Sequence, residues 1–195
     1  MRFSKLFAAA IVLSAWNAAL AQTPSYTNVG RTPTKAEIQA MDIAVGPDGK
    51  GLPAGQGTAK EGAPLYAAKC AVCHGANGEG GKIGTRLTGG QAEIETLKTL
   101  QPVRTVGSYW PYATSVWDYI NRAMPRNNGE TLSANEVYAL TAFILAKSNI
   151  IKEDDVMDAK TLPKVQMPNR NGFVPPRYQD VVDGRKRGCK QGVCP

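Results

Sequence analysis

Hydrophobic positions follow three different patterns along this chain. From Leu6 to Leu20 they run almost unbroken behind Arg2 and Lys5, and Ala19, Leu20 and Ala21 close the run with small-x-small spacing. The run is short for a bilayer span and ends in small residues, so it predicts an export signal cleaved after Ala21. A helical period is strongest in LSANEVYALTAFILAKSN. There Ser133 and Glu136 match a capping box, Leu132 can staple onto Val137, and Val137, Leu140, Thr141 and Ile144 share one face beside Phe143. Weaker periods predict helices over 61–71, 91–100 and 115–123, the last stopped by Pro125. Thr34 and Glu37 mark one more short helix, with Ile38, Met41 and Val45 on its apolar side. Between Gly75 and Gly90 the glycines exclude a helix, and no stretch alternates with a convincing β period.

These elements predict a small all-α protein. Residues 1–21 are the signal peptide, 22–59 an N-terminal extension, 60–150 the helical domain and 151–195 a C-terminal extension. Both extensions are polar and irregular.

Composition narrows the setting. A chain of 195 residues that is 43% hydrophobic supports one modest core. Loss of Arg2 and Lys5 with the signal lowers the formal charge from +7 to +5, a mild excess that steers acidic protein partners at low salt. Nucleic acid is excluded by export and by the lack of a basic stripe interleaved with aromatics; the patch Arg185 to Lys190 reads as a solvated tail. No stretch after the signal has the length of a membrane helix, so the mature chain is expected without a membrane span, in the bacterial periplasm.

The chemistry centres on Cys70, Ala71, Val72, Cys73 and His74. C-x-x-C followed by His lets two thiols on one turn form thioethers with the vinyl groups of a haem, while the histidine presents its imidazole to the iron. A redox disulfide needs a βαβ context that this chain lacks, and a zinc site needs two further ligands at matched spacing. His74 is the only histidine, which restricts the chain to one haem of this kind and excludes bis-histidine ligation. Met124, fifty residues after His74 in a loop before the capped helix, is the favoured sixth ligand; Met167 is the alternative. Met41 and Met157 read as core filler.

Other residues carry structural readings. Gly62 and Tyr66 lie one turn apart, so the glycine can admit the terminal helix while the tyrosine packs on Tyr138 or Phe143. Tyr109, Trp110, Tyr112, Trp117 and Tyr119 either wall the haem or fill the core. In an oxidising space Cys189 and Cys194 are expected to form a disulfide.

The stretches AEIQAMDIAVGPDGKGLPAGQGT, KCAVCHGANGEGG, TVGSYWPYATSVWDYINRAMP and DVMDAKTLPKVQMPNRNGFVP together resemble the cytochrome subunits of periplasmic sulfite dehydrogenases and of the Sox sulfur dehydrogenase. The resemblance implies a class I cytochrome c fold, one covalent haem c on Cys70 and Cys73, and His74 and Met124 as axial ligands. It further implies a molybdenum-cofactor dehydrogenase subunit as electron donor and a downstream cytochrome or oxidase as acceptor. Relatives often carry a proline where Thr85 stands, a departure that bears on the backbone brace of the proximal histidine. The function expected is one-electron transfer, without catalysis by the chain alone. The competing reading is a haem enzyme or small-ligand-binding protein with an open sixth position.

Overall fold

The computed structural model describes residues 29–174. The predicted signal peptide and the Cys189 and Cys194 pair lie outside the described residues. The chain divides into two compact units, one ending at Ile43 and one starting at Ala44.

In the first unit, helix α1 (Lys35–Met41) begins at the predicted capping box: Thr34 Oγ1 accepts from the Glu37 amide at 3.2 Å, and the Glu37 carboxylate accepts from the Thr34 amide at 2.8 Å. The helix stops short of Val45, and Met41 is exposed, so it fills no core.

The second unit opens with the two-residue strand β1 (Gln56–Gly57), followed by α2 (Ala59–Lys69) and the single turn α3 (Ala71–His74). Next come α4 (Gln91–Ile94), continued by a 3-10 turn over Glu95–Lys98, and then α5 (Val106–Tyr109). Helices α6 (Ala113–Ala123) and α7 (Ala134–Lys147), strand β2 (Met157–Asp158) and a 3-10 turn (Leu162–Lys164) complete it. Thr58 with Glu61 and Ser133 with Glu136 cap α2 and α7 with reciprocal hydrogen bonds.

Helix α7 is the axis of the core. Every residue from Val137 to Leu145 is buried, because α2, α6 and the β1–β2 ribbon each cover part of its circumference. The apolar stripe read from sequence was therefore too narrow: a helix buried all round needs no polar face. Helix α2 crosses α7 at Gly62, where a Cβ would lie 2.0 Å from the Ala139 carbonyl oxygen. One turn on, the Tyr66 ring stacks on Phe143 with centroids 4.5 Å apart. Gly62 thus lets the backbones approach, and the aromatic pair fills the adjoining space.

The ribbon pairs Gln56 with Asp158 and Gly57 with Met157. No alternation announced it, since two residues carry no period and Gly57 is placed by its contact with Ala139, 2.5 Å from where its Cβ would be. Among the described residues the segment after α7 is mostly irregular, yet Met157, Leu162, Val165 and Met167 are all buried in the core.

Candidate functional site

Helix α2 leads directly into the cysteine motif. Cys70 still donates its amide to Tyr66 at 2.9 Å but turns to φ −121° and ψ −36°, ending the helix. A new turn starts there, with the amides of Cys73 and His74 both donating to the Cys70 carbonyl at 3.1 and 3.0 Å. Residues three apart on a helical turn share a side, so Cys70 and Cys73 present their half-buried thiols together. Gly75, at φ 82°, closes the turn, and its carbonyl accepts the Tyr66 hydroxyl at 3.1 Å. Burial pushes the Tyr66 hydroxyl up to about 12, favouring its protonated, donating form.

The Gly-rich segment that follows is folded back on the motif by its own backbone. The Gly80 amide donates to the His74 carbonyl at 2.7 Å, and the Gly84 amide to the Cys73 carbonyl at 3.1 Å. Farther along, the Leu87 amide donates to Gly78 at 2.8 Å and the Thr88 hydroxyl to Asn77 at 3.0 Å. At Gly84 a Cβ would lie 2.8 Å from both His74 Nδ1 and the Cys73 carbonyl oxygen, too close for any side chain.

This path brings the Thr85 carbonyl to 2.8 Å from His74 Nδ1. A carbonyl only accepts, so Nδ1 carries the proton and the lone pair sits on Nε2. That is the arrangement of a metal-ligating histidine fixed from behind by a backbone oxygen. The brace therefore survives the change to Thr85, because it uses the main chain.

Cys70 does not resemble the attacking thiol of a dithiol redox pair. Burial pushes the Cys70 thiol up to about 11, whereas reactive C-x-x-C thiols are depressed. Among the described residues no group of three or more His, Cys, Asp or Glu is placed to hold a metal ion. Two neighbouring thiols plus one oriented imidazole are, however, the donor set that haem c requires.

Met124 and Met167 sit in different surroundings. Met124 ends α6, donating its amide to Ile120 at 3.1 Å. It is half-buried against the core, as are Cys70, Leu87 and Trp110. The loop after it is pinned where Glu130 donates to Asn121 at 2.8 Å and where a Cβ on Gly129 would meet the Arg122 carbonyl oxygen at 2.2 Å. Met167 is 3% exposed, enclosed within the core cluster that also holds Leu162 and Val165.

The aromatic segment has mixed roles. Trp117 is buried 5.5 Å from Tyr138, while Tyr119 is half-exposed against Trp110 at 5.6 Å. A clasp from the C-terminal side went unread in the sequence: Asn169 Nδ2 donates to the Tyr109 carbonyl at 2.8 Å, and the Arg170 guanidinium lies 5.2 Å from the Tyr112 ring centre. Partners sixty residues apart leave no local pattern. A polar cleft of about 610 Å³ lies between Thr88–Glu93 and Lys147–Ile150, and no residue of the cysteine motif lines it. Its Arg86 is engaged by Glu93 at 2.7 Å and by the Thr88 carbonyl at 2.8 Å.

Comparison with known proteins agrees with this geometry. Residues 57–144 match the family described as cytochrome c oxidase, cbb3-type, subunit III. Among curated proteins none matches the chain. A chain in the crystal structure of the sulfane dehydrogenase SoxCD from Paracoccus pantotrophus is 38% identical and superposes with a TM-score of 0.70. The match covers 84% of this chain and 78% of that one. The class I cytochrome c fold, the C-x-x-C-H turn with its braced histidine and this likeness together establish that the chain belongs to the cytochrome c family, whose cofactor is haem c, and is an electron-transfer protein.

Proposed function

We propose that this chain is an exported monohaem carrier that accepts single electrons from a sulfur-compound dehydrogenase and passes them to a downstream cytochrome or oxidase. The observation that carries the reading is the 2.8 Å contact between His74 Nδ1 and the Thr85 carbonyl, which leaves Nε2 for iron beside two adjacent thiols. Bound haem c supplies a one-electron ferric–ferrous couple. Cys70 and Cys73 hold it through thioethers, and with a single histidine in the chain the motif serves one haem. His74, through Nε2, and Met124 would be the chain's two ligands to its iron. A thioether ligand in half-buried apolar surroundings favours ferrous iron and raises the potential, as suits an acceptor of electrons.

The donor proposed is a molybdenum-cofactor subunit that oxidises sulfite or sulfane sulfur, by analogy with the sulfane dehydrogenase to which the chain is similar. Export through residues 1–21, with cleavage after Ala21, places the exchange in the periplasm. No described helix is long and apolar enough to cross a membrane. In that compartment Cys189 and Cys194 form a disulfide.

Two methionine variants test the ligand. Met124→Ala is expected to abolish the thioether-to-iron charge-transfer band of the ferric protein and to admit cyanide rapidly. Met167→Ala is expected to keep the band while lowering stability by about 2–5 kcal/mol, the cost of emptying a core site. Loss of the band in Met167→Ala alone would reassign the ligand. Haem reduction on adding sulfite to the native complex, with molybdenum co-purifying, tests the donor; a haem that stays ferric with sulfite and with thiosulfate would remove it.

A further inference from the structure

We propose that Asn128 is a site of spontaneous deamidation, set by the fold to react ahead of the other Asn–Gly pairs, and that its conversion loosens the loop after Met124. An asparagine followed by glycine cyclises readily, because the next residue has no side chain to hinder the attack and its backbone bends freely. The Gly129 amide nitrogen, having given up its proton, attacks Asn128 Cγ. A C–N bond forms there, the Cγ–Nδ2 bond breaks, and the leaving nitrogen takes up a proton to depart as ammonia. Water then opens the cyclic imide at either carbonyl, giving aspartate or isoaspartate, with no oxidant or reductant involved.

Three Asn–Gly pairs lie among the described residues, and they differ in the state of the attacking amide. Gly78 donates its amide to the Gly75 carbonyl at 3.2 Å, while the Asn77 carbonyl holds the Thr88 hydroxyl at 3.0 Å. Gly172 donates to the Asn169 carbonyl at 3.0 Å. The Gly129 amide has no acceptor among the described residues, and the exposed Asn128 side chain makes no hydrogen bond to them. Asn127 is spared, since the amide that follows it, that of Asn128, donates to the Pro125 carbonyl at 2.8 Å. A hydrogen bond that must first break slows ring closure about two- to tenfold.

The effect on the loop follows from where the main chain lengthens. Isoaspartate routes the chain through Cβ and Cγ, adding a methylene between the nitrogens of residues 128 and 129. The carbonyl that accepts the Thr131 hydroxyl at 2.8 Å becomes a carboxylate beside the main chain. Gly129 has no room to take up the added length, because a Cβ on it would already lie 2.2 Å from the Arg122 carbonyl oxygen. The displacement therefore falls on the neighbouring bond from the Glu130 amide to the Asn121 carbonyl, which at 2.8 Å closes the loop onto α6.

The test ages the full-length, haem-loaded protein in warm, mildly alkaline buffer and follows each asparagine by peptide mass spectrometry. Isoaspartate is counted with isoaspartyl methyltransferase and labelled S-adenosylmethionine. Asn128 is expected to convert about two- to tenfold faster than Asn77 and Asn171. In urea sufficient to unfold the chain the three rates should converge, since every amide is then free. Exchange of the Glu130 amide should quicken in the aged wild type and not in aged Asn128→Ser, which has no side-chain amide to lose. Conversion of Asn77 or Asn171 as fast as Asn128 in the folded protein, or the same preference for Asn128 in urea, overturns the proposal. So does unchanged Glu130 exchange after conversion. One further readout rests on the assignment of Met124 as a ligand: the aged wild-type ferric protein should bind cyanide faster than aged Asn128→Ser. Quickened Glu130 exchange with unchanged cyanide binding overturns that assignment and leaves the deamidation site standing.

Discussion

The α2–α7 crossing and the segment from Gly75 to Gly90 flank the same cysteine motif but are held by different physics. At the crossing, side chains do the work: Gly62 removes a Cβ that would strike the Ala139 carbonyl, and Tyr66 stacks on Phe143. In the segment the main chain does it, through amides donated to the carbonyls of His74, Cys73 and Gly78. Burial against a helix is cooperative and tolerates little change in volume. A lattice of backbone hydrogen bonds is local and fixes orientation more than it adds stability. The histidine is accordingly anchored by a rigid crossing on one side and aimed by a loop on the other.

Breaking the crossing should have the largest effect. In Gly62→Val the new side chain meets the backbone of Ala139, which cannot rotate aside, so α2 must lift from α7. Overpacking of this kind is expected to cost about 3 kcal/mol or more, read as a lower midpoint in urea unfolding. A loss below about 1 kcal/mol would mean that α2 re-seats without the close approach.

The same contrast explains what the sequence made legible. Capping boxes at Thr34 and Ser133 mark helix starts because a hydroxyl and a carboxylate three residues apart satisfy each other locally; the same pair at Thr58 and Glu61 went unread, and the helix expected from 61 begins at Ala59. Thr105 caps α5 in the same way, but with Ser108 in place of Glu or Gln, and so carried no recognisable signature. Gly62 and Tyr66 were readable as a crossing from their one-turn spacing. The route of the Gly-rich segment was not, since it is written in carbonyls that every residue type possesses. The Thr85 brace shows the consequence: a change of side chain where relatives often have proline left the acceptor in place. Burial of Met157, Leu162, Val165 and Met167 behind an irregular connection was hidden for a related reason, as non-periodic core residues resemble loop residues until the core is seen.

Tyr66 belongs to both regions and can separate them. Its ring lies in the crossing, and its hydroxyl donates to Gly75 at the exit of the motif. Tyr66→Phe keeps the ring and is expected to cost about 0.5–1.5 kcal/mol, the net value of one hydrogen bond. Its more telling result is a faster exchange of the amides of Gly80 and Gly84 against an unchanged exchange along α7, measured by hydrogen exchange. Uniform acceleration across both regions would show that the hydroxyl supports the fold as a whole.

The smallest effect probes the cap of α7, where the crossing meets solvent. The Ser133 amide, followed by the Ser133 hydroxyl, holds the Glu136 carboxyl below the ordinary glutamate value, and Lys69 adds to this at 3.3 Å. A carboxyl depressed on folding contributes stability that is complete above its unfolded value and is lost as pH falls through the lower folded one. Glu136→Gln, which keeps a weaker acceptor, should be less stable than the wild type by under about 1 kcal/mol near neutrality. The two stability curves should converge as acid protonates Glu136. A difference that persists unchanged into strong acid would show that residue 136 acts through packing, and would place the cap with the crossing instead of with the hydrogen-bonded segment.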